Sequence, residues 1–250
     1  MTMGVAYVIP PLGGGRGVAA AEGTAIRLIG VFELRVGGKV ISHSRSAQRL
    51  IAYLALRGRS GRSQLAGSLW PDTTEHRALA NLRTTRWRTN QASAGLVTSS
   101  HGVVALASEV TVDVRQIMAA ARQLMQPEQP ISSHHYSVAD DGRDLLPDWE
   151  DEWLAADRER LRQLRLHMLE ALADKLCAAE AYGLAMESAL AALQIDTLRE
   201  SAHRAVIKIH LAEGNVAEAR RAYQHCAAML ARDVGIAPSA ATRALLGLPE

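Results

Sequence analysis

Two hairpin signals enclose three short helical segments in the N-terminal half, and this order constrains the fold most strongly. Gly37-Gly38 separates two short apolar runs within residues 34–41, and a two-residue glycine turn is typical of a β-hairpin. A second pair of apolar runs lies on either side of residues 99–102. The sequence therefore predicts a small N-terminal sheet, three helices and a closing hairpin.

The three helices are predicted from apolar periodicity and from the residues that limit them. Ser44 and Ser46 precede the first helix, which ends at Gly58. A short second helix over 63–70 is stopped by Pro71, and the third covers 75–93. This order is that of a winged helix-turn-helix, in which the third helix enters the major groove of DNA and the hairpin forms a wing.

The third helix carries residue types that suit a DNA groove. No acidic residue follows Glu75 within it, and one of its faces is rich in arginine and amide side chains. Arginine pairs bidentately with guanine, and asparagine or glutamine pairs with adenine. The residues predicted to contact bases or the groove are Arg83, Thr84, Trp87, Arg88 and Gln91. The residues predicted to contact phosphates are Arg59, Arg62, Arg77, Arg86 and, at the wing, His101. The alternative is an ordinary solvated basic helix.

Charge is divided unevenly along the chain. Residues 26–108 contain 12 Lys/Arg and 3 Asp/Glu, giving +9, whereas residues 109–250 contain 15 and 22, giving −7. A basic half joined to an acidic half indicates a module that binds a polyanion, fused to a module of another kind.

The second half is predicted to be helical throughout, with a helix over 114–125 and a long helical run over 149–181. Ala185 and Ala219, each followed four residues later by a small or aromatic residue, lie 34 residues apart. A 34-residue helix–turn–helix period is typical of tetratricopeptide repeats, and a plain helical bundle is the alternative. The fold class is therefore mainly α with small β-sheets, followed by an all-α tetratricopeptide-like domain.

The domain prediction is a flexible tail over 1–24, a winged helix-turn-helix over 25–108 and a helical domain over 109–250. No apolar stretch is long enough to cross a membrane and no signal peptide begins the chain, so a cytoplasmic, nucleoid-associated location is expected.

The residue patterns favour no enzyme and no cofactor. His134-His135 lie among Asp140, Asp141 and Asp144, but their spacing matches no standard metal site, and a solvated loop is favoured. A run of acidic residues beside Trp149 and Trp153 is more typical of a helix start than of a hydrolase. Cys177 and Cys226 read as buried small residues. A phosphate-binding G-x-x-x-x-G-K-[ST] sequence does not occur.

Several segments, taken in order, resemble the Streptomyces antibiotic regulatory protein family, which joins an OmpR-type winged helix to a bacterial transcriptional activator domain. The segments that carry the resemblance are 49–56, 65–72, Asn81-Leu82-Arg83-Thr84 with Trp87-Arg88, Val112-Asp113-Val114, 145–149 with Glu152-Trp153, 159–162, 196–203 and 230–239. The resemblance implies binding to direct repeats in promoters, with a homodimer on those repeats, and activation through RNA polymerase and its sigma factor. It also implies control of a secondary-metabolite, or antibiotic, gene cluster.

The chain departs from the family pattern in the third helix. Arg86 and Thr89 stand where relatives usually have leucines, and Asn90 stands where they have an arginine. Loss of two apolar anchors is expected to weaken docking of this helix by on the order of a few kcal/mol. The alternative function is therefore a protein-interaction scaffold whose winged helix has lost DNA binding.

Overall fold

The computed structural model describes residues 23–126, 128–132, 135 and 143–248. The chain forms two compact units. The first contains Met1–Ala119 and Arg143–Glu159, and the second contains Ala120–Gly142 and Arg160–Glu250. This division differs from a boundary at residue 108, because a segment from the second half belongs to the first unit. The predicted tail lies outside the described residues except at its end, where Thr24 begins the first strand.

The first unit combines two small sheets with helices. Its elements are β1 Thr24–Arg27, β2 Glu33–Val36, β3 Lys39–Val40, α1 Arg45–Arg57, β4 Ser60–Gly61, α2 Arg62–Leu69, α3 Glu75–Ala92, β5 Val97–Ser100, β6 Val103–Leu106, β7 Thr111–Val112 and the start of α4 Asp113–Leu124. One sheet has the strand order β3-β2-β1-β7, with β1 parallel to β7 and antiparallel to β2. The other has the order β4-β6-β5. The predicted sheet–helix–helix–helix–hairpin order is confirmed.

Local signals account for the first sheet and for α1. Gly37 and Gly38 take φ values of 55° and 78°, which side chains with a Cβ rarely adopt, and they form the two-residue turn between β2 and β3. Ser44 caps α1 by accepting a hydrogen bond from the Ala47 amide, and Gly58 ends the helix with a φ of 76°. The buried side of α1 forms the core of the unit, where Leu50, Ile51 and Leu54 are fully enclosed.

The segment 143–159 returns to the first unit and packs along α1. Asp151 accepts hydrogen bonds from Arg45 at 3.3 Å and from Arg49 at 2.5 Å. Arg45 also lies 3.8 Å from the ring centroid of Trp149, a cation–π contact. Farther along α1, Arg57 pairs with Asp157 at 3.1 Å. Ion pairs and a cation–π contact together therefore attach this acidic segment to the basic side of α1.

The predicted helix over 149–181 is wrong at its start. A single 3₁₀ turn covers Glu152–Leu154, and the helix α5 runs from Ala155 to Ala178. From within α5, Arg158 donates hydrogen bonds to the backbone carbonyls of Leu145, Leu146 and Trp149, which precede the helix. The Arg158 side chain supplies the hydrogen bonds that backbone amides would supply in an α-helix. The backbone of this segment can therefore run along α1 without being helical.

The second unit is all-helical among its described residues. After α5 come α6 Tyr182–Ile195, α7 Glu200–Ala212, α8 Val216–Val234 and the short α9 Ala240–Ala244. The starts of α6 and α8 are 34 residues apart, and Ala185 and Ala219 are both fully buried. The predicted helix-pair repeat is thus present, with alanines at the positions where neighbouring helices approach closely.

Two half-buried carboxylates join the helices of this unit. Glu170 on α5 accepts two hydrogen bonds from Arg199 and one from Ser201. Glu200 on α7 accepts hydrogen bonds from the amide and hydroxyl of Ser239 and from Thr242, which places it at the N-terminus of α9. In the part of the chain that is described, no helix is long and apolar enough to cross a membrane.

Candidate nucleic-acid interface

Helix α3 presents most of its polar surface outward. It begins after Thr74, has Glu75 in its first turn and ends at Ser93. Its buried side consists of Ala78, Leu82, Thr85 and Thr89. The five side chains predicted to contact bases or the groove, Arg83, Thr84, Trp87, Arg88 and Gln91, are all exposed. An 18-residue helix is about 27 Å long, which is ample for contact with one major groove.

The two polar substitutions on the docking side of α3 are accommodated differently. Thr89 is fully buried, and its hydroxyl donates to the Thr85 carbonyl one turn earlier at 2.8 Å. Burial of that hydroxyl therefore leaves it satisfied within the helix. Arg86 is half-buried, at the margin between the packed and exposed sides.

Asn90 links α3 to the wing. Its Nδ2 donates to the Val97 carbonyl at 2.8 Å, and its Oδ1 accepts from the Val97 amide at 2.9 Å. Both polar groups of the side chain thus extend the edge of β5. The sequence analysis did not predict this role. The available signal was that Asn90 replaces a usual arginine and lies seven residues before Val97 of the predicted strand.

The wing is a tight hairpin fixed to the start of α2. Strands β5 and β6 pair from Val97↔Leu106 to Ser100↔Val103, and His101-Gly102 forms the turn with φ values of 48° and 80°. Arg62 donates from its amide to the Gly102 carbonyl at 3.1 Å and from its guanidinium to Ser99 at 3.0 Å. The sequence-predicted hairpin is confirmed, and Arg62 contacts it at its turn end.

The predicted phosphate contacts fall into two groups. Arg59, Arg62, Arg77 and His101 are exposed, whereas Arg86 is half-buried. Arg59 and Arg62 flank β4, which pairs with the wing strand β6, so the structure brings them together with His101 at one end of the unit. Arg77 belongs to the first turns of α3.

Two acidic side chains of the first unit, Glu33 and Asp113, are engaged away from α3. Hydrogen bonding from Arg35, opposed by burial, lowers the pKa of Glu33, which also pairs with Arg27. Asp113 is half-buried and accepts hydrogen bonds from the amides of Leu28 and Ile29, and its partial burial raises its pKa. Within the described ranges, no ion pair involves an arginine of α3. The helix therefore keeps its positive charge available at the surface.

The described residues hold no cluster of three or more side chains suited to a metal ion. His134, Asp140 and Asp141 lie outside the described residues. His135 is buried, and its Nδ1 accepts a hydrogen bond from the Ser132 amide at 3.1 Å. The acidic residues beside Trp149 and Trp153 include Asp151, which receives the arginines of α1.

A small sheet, three helices and a wing define a winged helix-turn-helix protein, here continued by paired helices. The fold is similar to that of Mycobacterium tuberculosis EmbR in complex with a low-affinity phosphopeptide, with a TM-score of 0.62 and 18% sequence identity. The match covers 91% of this chain and 66% of that one, so this chain spans just under two thirds of the EmbR chain. At this identity the likeness shows a shared fold.

The profile described as "Bacterial transcriptional activator domain" matches residues 105–247, more than half of the chain. The chain belongs to this family of bacterial transcriptional activators. A search of curated protein sequences returns no match.

Proposed function

We propose that this chain is a sequence-specific DNA-binding transcriptional activator, in which α3 reads the major groove of promoter DNA. The observation that carries the proposal is the exposed face of α3, where Arg83, Thr84, Trp87, Arg88 and Gln91 all reach solvent. Arginine, glutamine and threonine supply the donors, acceptors and methyl groups that distinguish base pairs in the major groove.

Phosphate contacts are assigned to the exposed cations around that helix. Arg77 lies on α3 itself, and Arg59, Arg62 and His101 lie at or beside the turn end of the wing. Arg86, at the margin of the docking side, is the fifth candidate. Such contacts fix the orientation of a protein on the duplex and make its affinity depend on salt.

The accommodation of Thr89 and Asn90 supports DNA reading over the rival scaffold function. Thr89 is satisfied inside α3, and Asn90 ties the helix to β5. A helix held in this way keeps a fixed position relative to its wing. The charge of +9 over residues 26–108 supports the same choice, since a winged helix that had lost DNA binding would gain nothing from it.

The helical unit is assigned to protein contacts. RNA polymerase with its sigma factor and a second copy of the chain on direct repeats are the proposed partners. The target is a promoter of a secondary-metabolite gene cluster, and the site of action is the cytoplasmic nucleoid. Repeated helix pairs provide grooves of the kind that bind other proteins.

The test is a gel shift across a salt series, with the promoters of the neighbouring genes and scrambled duplexes as probes. An Arg83→Ala/Arg88→Ala variant is expected to lose the preference for the promoter, because each base-reading arginine contributes roughly 1–3 kcal/mol of discrimination. Arg122→Ala/Arg220→Ala is the control, since it removes the same charge from exposed positions on α4 and α8.

Selective binding that the first variant loses and the control keeps would establish the function. Equal binding of promoter and scrambled DNA, by parent and variants alike, would contradict it and favour the interaction scaffold.

A further inference from the structure

Trp87 lies at the centre of the exposed face of α3. An α-helix turns by about 100° per residue, so Trp87 points roughly 170° away from the mean direction of the buried residues 78, 82, 85 and 89. Its exposure is 62%, the largest among the exposed large apolar side chains of the described residues. The side chain farthest from the core is therefore an indole.

The polar side chains flank this indole. Arg83 and Thr84 point roughly 130° from the buried direction, one on each side of Trp87, and Arg88 points roughly 90° from it. Helical side chains lean towards the N-terminus, so the indole extends towards the surface between Arg83 and Thr84. Ala80, on the same line two turns earlier, is too small to cover it. The cationic groups therefore border an apolar centre.

From this geometry, and resting on the proposed function, we infer that Trp87 reads the C5-methyl group of a thymine. The residue that points straight away from the core reaches deepest when such a helix enters the major groove. The thymine methyl is the apolar group that base pairs present there. Contact with it removes exposed indole surface from water, whereas a polar base edge at that point loses hydrogen bonds to water without replacement.

The test uses the full chain and replaces thymine by deoxyuridine, which removes only the methyl group. The preferred site is first selected from a random duplex library. Fluorescence anisotropy then gives the Kd for that site with each thymine replaced in turn. At one thymine position per half-site the parent is expected to lose about 3- to 5-fold in affinity, as burial of one methyl group implies.

Trp87→Ala is expected to bind thymine and deoxyuridine duplexes equally at that position, and Trp87→Phe is expected to retain part of the difference. Both variants should keep the parent's salt dependence, because no cation is removed. The Phe variant and circular dichroism together separate loss of reading from loss of folding.

Three results overturn the inference. If the selection returns no preferred site, the proposed function fails and the inference with it. If a preferred site exists but no thymine is sensitive to its methyl group, or if Trp87→Ala keeps the sensitivity, the inference alone fails. Loss of self-association by Trp87→Ala in sedimentation, with methyl discrimination intact, would instead assign the indole to an interface between copies.

Discussion

At the residue scale, the Asn90 carboxamide joins α3 to the first strand of the wing through both of its polar groups. Its partners are the amide and the carbonyl of Val97, so one side chain replaces two backbone contacts that an edge strand lacks. Since the wing and α3 are both assigned to DNA contact, this connection sets their relative position.

We therefore expect Asn90→Ala to destabilise the first unit by about 1–3 kcal/mol, because both backbone groups of Val97 lose a hydrogen-bond partner. Urea denaturation followed by circular dichroism measures the change. Affinity for the preferred duplex should fall as well, because the wing is no longer held to α3.

The neighbouring residue provides the control for this prediction. Gln91 is exposed, so Gln91→Ala should leave the urea midpoint unchanged while altering the preferred DNA site. An Asn90→Ala variant as stable as the parent would show that the Val97 contacts contribute nothing to folding.

At the element scale, α9 depends on a carboxylate from another helix. Burial opposes ionisation of Glu200, but hydrogen bonds from Ser239 and Thr242 outweigh it and lower the pKa of this carboxyl below its ordinary value. Because the folded-state pKa lies below the unfolded one, the stabilisation is complete above the ordinary value of 4.5. It is lost as the pH falls through the folded-state pKa.

Glu200→Gln is accordingly expected to destabilise the second unit at pH 7 by about 1–2 kcal/mol, since charge-assisted hydrogen bonds become neutral ones. The difference from the parent should shrink below pH 4.5. Urea titrations at pH 7 and near pH 3.5 measure both effects, with Glu187→Gln on the exposed side of α6 as the control. A difference that is the same at both pH values would contradict the role assigned to the charge.

The elements that the sequence predicted correctly are those limited by local chemistry. Gly37-Gly38, Gly58 and Pro71 act through their own backbone, so hairpin and helix ends could be placed without knowledge of the rest of the molecule.

The elements that the sequence did not predict are set by distant partners. Trp149 and Trp153 lie four residues apart, a helix-like spacing, yet the backbone before Ala155 follows contacts with α1 instead. No local pattern identifies Arg45 and Arg49 as the partners of Asp151, a hundred residues away. In the site, Asn90 was missed for the same reason, since its role appears only once β5 lies beside α3.

At the scale of the whole molecule, the number of phosphate contacts made by the basic half determines how affinity for DNA responds to salt. Each phosphate contact releases counterions, so removal of one contact lowers the slope of log affinity against log salt by roughly one. We expect Arg77→Ala to have this effect with every duplex sequence, in anisotropy titrations over a range of potassium chloride concentrations. Arg122→Ala on α4 should leave the slope unchanged. An equal decrease of the slope in both variants would mean that affinity depends on the net charge of the chain and not on a phosphate contact of Arg77.

The return of residues 143–159 to the first unit predicts where the chain can be cut. A fragment comprising 1–159 should resist proteolysis and unfold cooperatively, because it keeps Asp151 and Trp149 against α1. A fragment comprising 1–142 should unfold at lower urea concentration. The two fragments differ only in residues 143–159, so their comparison measures what this segment contributes to stability. Equal stability of the two fragments would contradict its structural role.

That returning segment also bears on how such proteins exchange parts during evolution. Residues 143–159 lie inside the family match yet belong to the first unit, so the segment that the family shares and the segment that folds together are not the same. A gene fusion that places residues 105–247 behind a foreign winged helix would carry Asp151 and Trp149 without their arginines. Substitutions at Arg45 or Arg49 should therefore be inherited together with changes at Asp151, and successful recombinants should be limited to lineages whose first helix retains that basic side.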